Sequence, residues 1–308
     1  MKIGNIDTNK KVFIIAEIGN NHEGSFDLAK KMIIAAANSG VDAVKFQTFI
    51  PELFVSSEDI LRLNKLKKFK LSFKEFKELS KVAKKNGLIF FSTPLDLKSA
   101  KFLNNIQPIF KISSGDNNFY PLIEKVARFE KPMIVSTGVA DVKLIRKVYN
   151  KIYKVWSKKI KINENLAFLH CVGSYPVPFE QANLASIAFI KKKFPNVVLG
   201  YSDHTVGNEA AVLSVMAGAR IVEKHFTIDK KYSDFRDHHL SADPKDMKLI
   251  VSRIREIEKM LGNDEKKIQS CEKEMKILGR RSIAVLRDMP AGTKLKISDI
   301  TWLRPGNG

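Results

Sequence analysis

Two histidines each close an apolar run, His204 in Val197-Val-Leu-Gly-Tyr-Ser-Asp-His204 and His225 in Ile221-Val-Glu-Lys-His225-Phe226. Both runs have the β-branched, apolar character of buried parallel strands, with one helical segment between them. Neighbouring parallel strands would set the two imidazoles side by side. Two imidazoles with room for water or substrate suit a labile Mn²⁺ or Mg²⁺ that polarises a carbonyl, rather than a closed zinc site. Lys45 and Lys111 lie inside apolar strands, where an unpaired ammonium is costly, so each needs an anion. A structural carboxylate answers that need, and so does a ligand. Hydroxyls at Thr48, Thr93, Ser113, Ser114, Ser136, Thr137 and Ser202, with glycine-rich turns, tilt the reading toward a small phosphorylated, anionic substrate. Glu17, Asp116, Asp203 and Asp237 are the candidate acid/base or hydroxyl-binding carboxylates, although Asp203 equally fits a role orienting His204 or capping the next helix.

The elements that must position these groups are short strands alternating with amphipathic helices. Strands are expected at 12–18, 43–48, 88–92, 109–113, 133–137, 166–171, 197–201 and 221–225. Helical spacing appears at 26–39, 73–86, 98–104 and 182–194. Gly40, Gly87 and Gly218 follow helical patterns, where a left-handed C-cap belongs. Eight strand–helix units predict an α/β fold, a closed (β/α)8 TIM barrel. The strand ends, from Glu17 through Lys45-Phe-Gln-Thr48 and Ser92-Thr-Pro94 to Glu223-Lys-His225, are polar where packing alone would want aliphatics. They converge on the C-terminal face, where active sites of this fold lie.

Composition excludes some classes. No apolar stretch is long enough to span a bilayer, and Met1-Lys-Ile-Gly-Asn-Ile-Asp7 lacks the long apolar segment expected of a signal peptide. Two cysteines, Cys171 and Cys271, make no disulfide framework, so a reducing cytoplasm is the expected location. The formal charge of +20 raises nucleic acid as a partner, but the lysines are dispersed and no binding motif accompanies them. Runs such as Lys65-Leu-Lys-Lys-Phe-Lys70 are read as solvated helix faces, and nucleic-acid binding is the weakest reading. Of the adjacent pair His238-His239, one is expected to face the site. His22 is expected to orient Glu17 or line the pocket. Cys171 is read as a packing residue because no base adjoins it in sequence.

The segments Ala16-Glu-Ile-Gly-Asn-Asn-His-Glu-Gly24, Lys45-Phe-Gln-Thr48, Ser92-Thr-Pro94, Lys111-Ile-Ser-Ser-Gly115, Ser136-Thr-Gly138, Gly200-Tyr-Ser-Asp-His-Thr205 and Glu223-Lys-His-Phe-Thr227 together resemble the sialic acid synthases, in register from about residue 10 to 308. The resemblance implies a barrel over 1–270 and a linker with a short, truncated antifreeze-like (SAF, β-clip) segment over 271–308. It implies condensation of phosphoenolpyruvate with an N-acylated amino-sugar aldehyde of the N-acetylmannosamine type, giving a nine-carbon 2-keto acid and phosphate. His204 and His225 would hold Mn²⁺ or a similar ion. Lys45, Thr93, Lys111, Ser114, Ser136 and Ser202 would hold phosphoenolpyruvate. Glu17, Asp116 and Asp237 would bind sugar hydroxyls and move protons, with Tyr175 lining the sugar pocket. A homodimer, in many members domain-swapped, would bring Arg304 to a neighbouring sugar site.

Three departures bear on the substrate. Gly173 stands where many members carry an asparagine that contacts phosphoenolpyruvate. Phe235-Arg236 replaces a common Gly-Pro before Asp237. The antifreeze-like segment, from Arg280, is shorter than the whole domain. Alternatives are a synthase for another nonulosonate, such as a legionaminic-type acid from a diacetamido acceptor, or a non-catalytic sugar-binding homologue.

Overall fold

The computed structural model describes every residue except Lys158, Asn263 and 306–308, together with the side chain of Arg236. The chain divides into two units, Met1–Leu261 and Gly262–Gly308. The boundary expected after residue 270 falls within the second.

The first unit opens with a small antiparallel hairpin, β1 (Lys2–Ile3) and β2 (Ile6–Asp7). Eight parallel strands follow: β3 (Phe13–Gly19), β4 (Ala43–Thr48), β5 (Ile89–Pro94), β6 (Phe110–Ile112), β7 (Met133–Ser136), β8 (Leu166–Cys171), β9 (Val198–Asp203) and β10 (Ile221–His225). Their order, β5-β4-β3-β10-β9-β8-β7-β6, is sequential with β3 beside β10, and β5 adjoins β6. This is the (β/α)8 barrel that the alternation predicts. The helices around it are α1 (Phe26–Asn38), α2 (Pro51–Phe54), α3 (Ile60–Phe69), α4 (Phe73–Lys85), α5 (Leu97–Leu103), α6 (Tyr120–Ala127), α7 (Val142–Trp156), α8 (Ile162–Asn165), α9 (Ala185–Lys193), α10 (Glu209–Met216), α11 (Arg236–Leu240) and α12 (Pro244–Leu261). Local chemistry starts several of them. Ser25 accepts the Leu28 N–H at α1, and Ser72 with Glu75 forms a capping box at α4. Among the described residues no helix is long and apolar enough to cross a membrane.

Strand alternation sorts the side chains into two populations. One face, with Ile14, Ala16, Val44 and Val222, packs against the helices in the main core. The other fills the barrel. There Phe13, Ile15, Ala43, Phe91, Ile134, Leu169 and Ile221 cluster with Met1 and Ile3 of the hairpin, which close the N-terminal end. The same face runs upward from Phe13 and Ile15 to Glu17, from Ala43 to Lys45 and Gln47, and from Ile221 to Glu223 and His225. Apolar layers at the bottom thus give way to polar ones at the C-terminal mouth. Gly200 has no space for a side chain: a Cβ there would lie 2.4 Å from both the Ile221 carbonyl oxygen and Leu169 Cδ2.

The second unit contains α13 (Lys273–Leu278) and an antiparallel pair, β11 (Ser282–Val285) and β12 (Ile300–Leu303). None of its described residues is buried. Arg304 follows β12 and is exposed.

Candidate active site

A cavity of about 260 Å³ opens at the C-terminal ends of the strands. Its lining brings together Glu17, Lys45, Thr93, Lys111, Ser114, Ser136, Ser202, His204 and His225, with Tyr175 above them. These groups come from seven strands and the loops after them, and their alternation makes them neighbours. A second chamber of about 550 Å³ shares Gln47, Phe54, Arg62, Tyr175 and His225 with the first. It adds Asn20, Lys65, Leu66, Phe69, Phe235 and Asp237.

On one side of the deep cavity four buried charges interlock. Lys45 Nζ lies 2.8 Å from Glu17 Oε1 and 3.7 Å from Glu223, and donates to Thr93 Oγ1 at 3.2 Å. Lys111 donates to both Glu223 oxygens at 2.9 and 3.1 Å, and Ser202 Oγ donates to Glu223 at 3.1 Å. Burial works against every one of these charges. For Glu223 the two ammonium groups overcome it and hold the carboxyl down at about 2. For Glu17 burial wins over Lys45, with the Glu223 charge adding to it, and the carboxyl is pushed up to about 7. Burial draws Lys111 below its ordinary value despite Glu223, whereas the carboxylates outweigh burial at Lys45 and raise it.

The opposite side carries imidazoles. The His204 and His225 ring centroids are 5.4 Å apart, and Tyr175 stacks on His204 at 4.1 Å and meets His225 edge-on at 5.8 Å. His204 Nδ1 hydrogen-bonds the Val172 carbonyl oxygen at 2.8 Å. That bond places the proton on Nδ1 and leaves the Nε2 lone pair available. His225 Nδ1 is buried without a hydrogen-bond partner among the described residues. Burial, then the charges of His204 and Lys45, hold His225 well below the ordinary histidine range, so its imidazole is neutral. Burial also works against a charge on His204, but Cys171, the Val172 carbonyl and Glu223 outweigh it and raise its pKa. Two adjacent imidazoles, one with an orphaned nitrogen and the other fixed from behind, fit a divalent cation, and Glu223 contributes a negative charge to both. Among the described residues no three His, Cys, Asp or Glu side chains are gathered as a ready metal cluster.

Several expectations meet a different geometry. Asp116 does not line either chamber; its carboxylate takes the Ser113 hydroxyl, and burial raises its pKa. Asp237 is buried on α11 and lines the outer chamber. Thr48 points to the helix side, bonded to Ser92 Oγ at 2.7 Å, and Thr137 Oγ1 donates to the Leu169 carbonyl. Neither His238 nor His239 lines the chambers: His238 is tied to Thr227 and Glu23, and His239 is exposed. His22 accepts the Gly24 N–H and packs near Phe46, away from Glu17. Asp203 faces outward, where it bonds Lys224 at 2.9 Å and accepts the Thr205 N–H. Cys171 does have a base beside it, with Sγ 3.7 Å from His204 Nδ1. Burial raises its thiol, but His204 outweighs that and leaves its pKa lowered. Glu223, Gln47 and Arg62 line the deep cavity without having been picked from the sequence as site residues.

The geometry agrees with what similar proteins are. The description "NeuB family" fits residues 32–266, most of the chain. The chain belongs to the NeuB family. An N,N'-diacetyllegionaminic acid synthase of Campylobacter jejuni is 37% identical, covering 97% of this chain and 92% of that protein. An N-acetylneuraminate-9-phosphate synthase of Mus musculus is 33% identical over 94% of this chain and 82% of its own length. Among solved structures, an N-acetylneuraminic acid synthetase from Leptospira borgpetersenii, in complex with citrate, superposes with a TM-score of 0.82 at 35% identity. It covers 89% of this chain and 94% of its own. The resemblance to sialic acid synthases therefore holds for family, barrel fold and enzyme class. This NeuB-family chain is a synthase of the nonulosonate kind.

Proposed function

We propose that this enzyme condenses phosphoenolpyruvate with an N-acylated amino-sugar aldehyde and releases phosphate, forming a nine-carbon 2-keto sugar acid. The carrying observation is the two-sided deep cavity of about 260 Å³, with lysines and hydroxyls facing the His204 and His225 imidazoles. Lys45, Lys111, Thr93, Ser114, Ser136 and Ser202 bind and orient phosphoenolpyruvate. His204 and His225 would hold Mn²⁺ or Mg²⁺, which when bound polarises the acceptor aldehyde. The reaction forms one C–C bond from C3 of phosphoenolpyruvate, adds water at C2 and breaks the C2–O bond to phosphate. One proton must reach the former aldehyde oxygen and one must leave the water. Glu17, pushed up to about 7, is the buried group able to hold or give a proton near neutrality. Tyr175 and Asp237 bound the space open to the sugar. Arg304 would act as part of a homodimer, completing a neighbour's site.

The outer chamber favours a second reading of the acceptor. Phe54, Leu66, Phe69 and Phe235 give it an apolar wall, with Phe235 edge-on to Phe69 at 5.1 Å. Such a wall suits a diacetamido, legionaminic-type acceptor better than a terminus bearing only hydroxyls. Incubation with phosphoenolpyruvate, Mn²⁺ and a panel of N-acyl hexosamines, read by phosphate release and product mass, tests both. A nine-carbon keto acid is expected, and a larger kcat/KM for the diacetamido sugar supports the second reading. No phosphate release with any acceptor would overturn the catalytic reading in favour of a sugar-binding homologue.

A further inference from the structure

The deep cavity has a charge problem that its buried residues do not solve. Phosphoenolpyruvate carries a carboxylate and a phosphate. The two lysines that would receive it are already matched by two carboxylates, Lys45 by Glu17 and Lys111 by Glu223. An arriving polyanion would therefore meet two ammonium groups already engaged by carboxyl groups, with Glu223 ionised among the walls. Among the described residues one further basic side chain, beyond the lysines and the two histidines, lines this cavity. Arg62, on α3, borders both the deep cavity and the outer chamber and makes no ion pair with a carboxylate among the described residues; its guanidinium lies over the Phe54 ring, 5.4 Å from the centroid. Position 173 supplies no polar side chain in compensation, and a Cβ there would sit 2.6 Å from Val139 Cγ2.

The element that carries Arg62 packs apart from the main core. The α2–α3 segment is inserted between β4 and α4, and its Leu66 packs with Phe49 and Leu95 in a small cluster separate from the main core. Phe54 and Val55 rest against that cluster. An element held by few apolar contacts of its own opens at lower cost than the barrel beneath it. Its inner surface presents an arginine suited to paired hydrogen bonds with a phosphate or carboxylate.

We propose that Arg62 is a phosphoenolpyruvate-binding residue, delivered onto the substrate's anionic end by closure of the α2–α3 segment. This inference rests on the proposed use of phosphoenolpyruvate. The test measures phosphoenolpyruvate binding by calorimetry in the presence of Mn²⁺ and without acceptor, then KM for each substrate from phosphate release. Arg62→Ala is expected to weaken phosphoenolpyruvate binding about 10- to 100-fold, the range for losing hydrogen bonds to a charged group. The KM for the acceptor should stay within about 3-fold, and Arg62→Lys should recover part of the loss, since it keeps the charge but not the fork. Lys68→Ala, an exposed cation on the same helix, should leave both constants unchanged and so separates contact from general attraction. Unchanged phosphoenolpyruvate affinity in Arg62→Ala overturns the assignment, as does a rise confined to the acceptor's KM, which would give Arg62 to the sugar. A wild-type protein that does not bind phosphoenolpyruvate at all overturns the proposed function and this inference together.

Discussion

The two sides of the deep cavity are built on opposite plans. On the lysine side each ammonium has a carboxyl partner within 4 Å. On the imidazole side His225 Nδ1 has no hydrogen-bond partner among the described residues, and His204 is tethered from behind through Nδ1. Paired buried ions tolerate the loss of one member badly, because the other is left charged in a poor solvent. An orphaned neutral ring nitrogen is already unsatisfied, and removing it relieves a cost. The lysine side should therefore be needed for stability as well as binding, and the imidazole side for function alone.

Three substitutions test that contrast. Lys111→Met removes the main partner of Glu223 and should cost about 3–5 kcal/mol in urea-induced unfolding at pH 7. A loss under about 1 kcal/mol would erase the distinction between the two sides. Next is Glu17→Gln, which separates the two carboxylates by pH. The Glu17 carboxyl is raised in the folded protein to about 7 from an ordinary 4.5. Its protonated form thus contributes stability that is fully present below pH 4.5 and is lost as pH rises through about 7. The difference between wild type and Glu17→Gln should change by up to about 3 kcal/mol across that window, the wild type losing ground as pH rises. A flat difference would mean that Glu17 is ionised throughout. The smallest change in stability is expected for His225→Ala, about 1 kcal/mol or less by thermal melting. The same variant should lose metal-dependent phosphate release while keeping phosphoenolpyruvate affinity within a few-fold. Parallel loss of stability and affinity would place His225 with the structural residues.

Much of this architecture was legible in the chain. Alternation within each strand put Lys45, Lys111, Ser202, His204 and His225 on one face, because period-two patterning fixes the direction of a side chain once the strand is recognised. What the pattern cannot carry is pairing over distance. Glu223 read as one polar strand end among eight; its importance comes from Lys111, at a sequence separation of 112. The Asp203–Lys224 pair has the same origin, two adjacent strands meeting on their outward face. Asp116 and His238 were candidates by type, yet loop geometry turned each toward nearby partners, Ser113 in one case and Thr227 with Glu23 in the other. Lys65 read as a solvated helix face, and its exposed ammonium instead lies over Phe235 at the rim of the outer chamber. The hairpin of β1 and β2 was too short to register as a repeating pattern.

Gly200 ties the barrel's mechanics to the family's capacity to change. It sits on β9 against β10, the strands that lead to His204 and His225, with no room for even a methyl group. Any larger residue would wedge those strands apart and alter the reach between the two imidazoles before it touched a substrate. Change in acceptor preference is thus left to Phe54 at the end of α2, Phe69 at the end of α3 and Phe235 before α11, which bound the outer chamber and can vary in shape while the distance between the histidines stays constant.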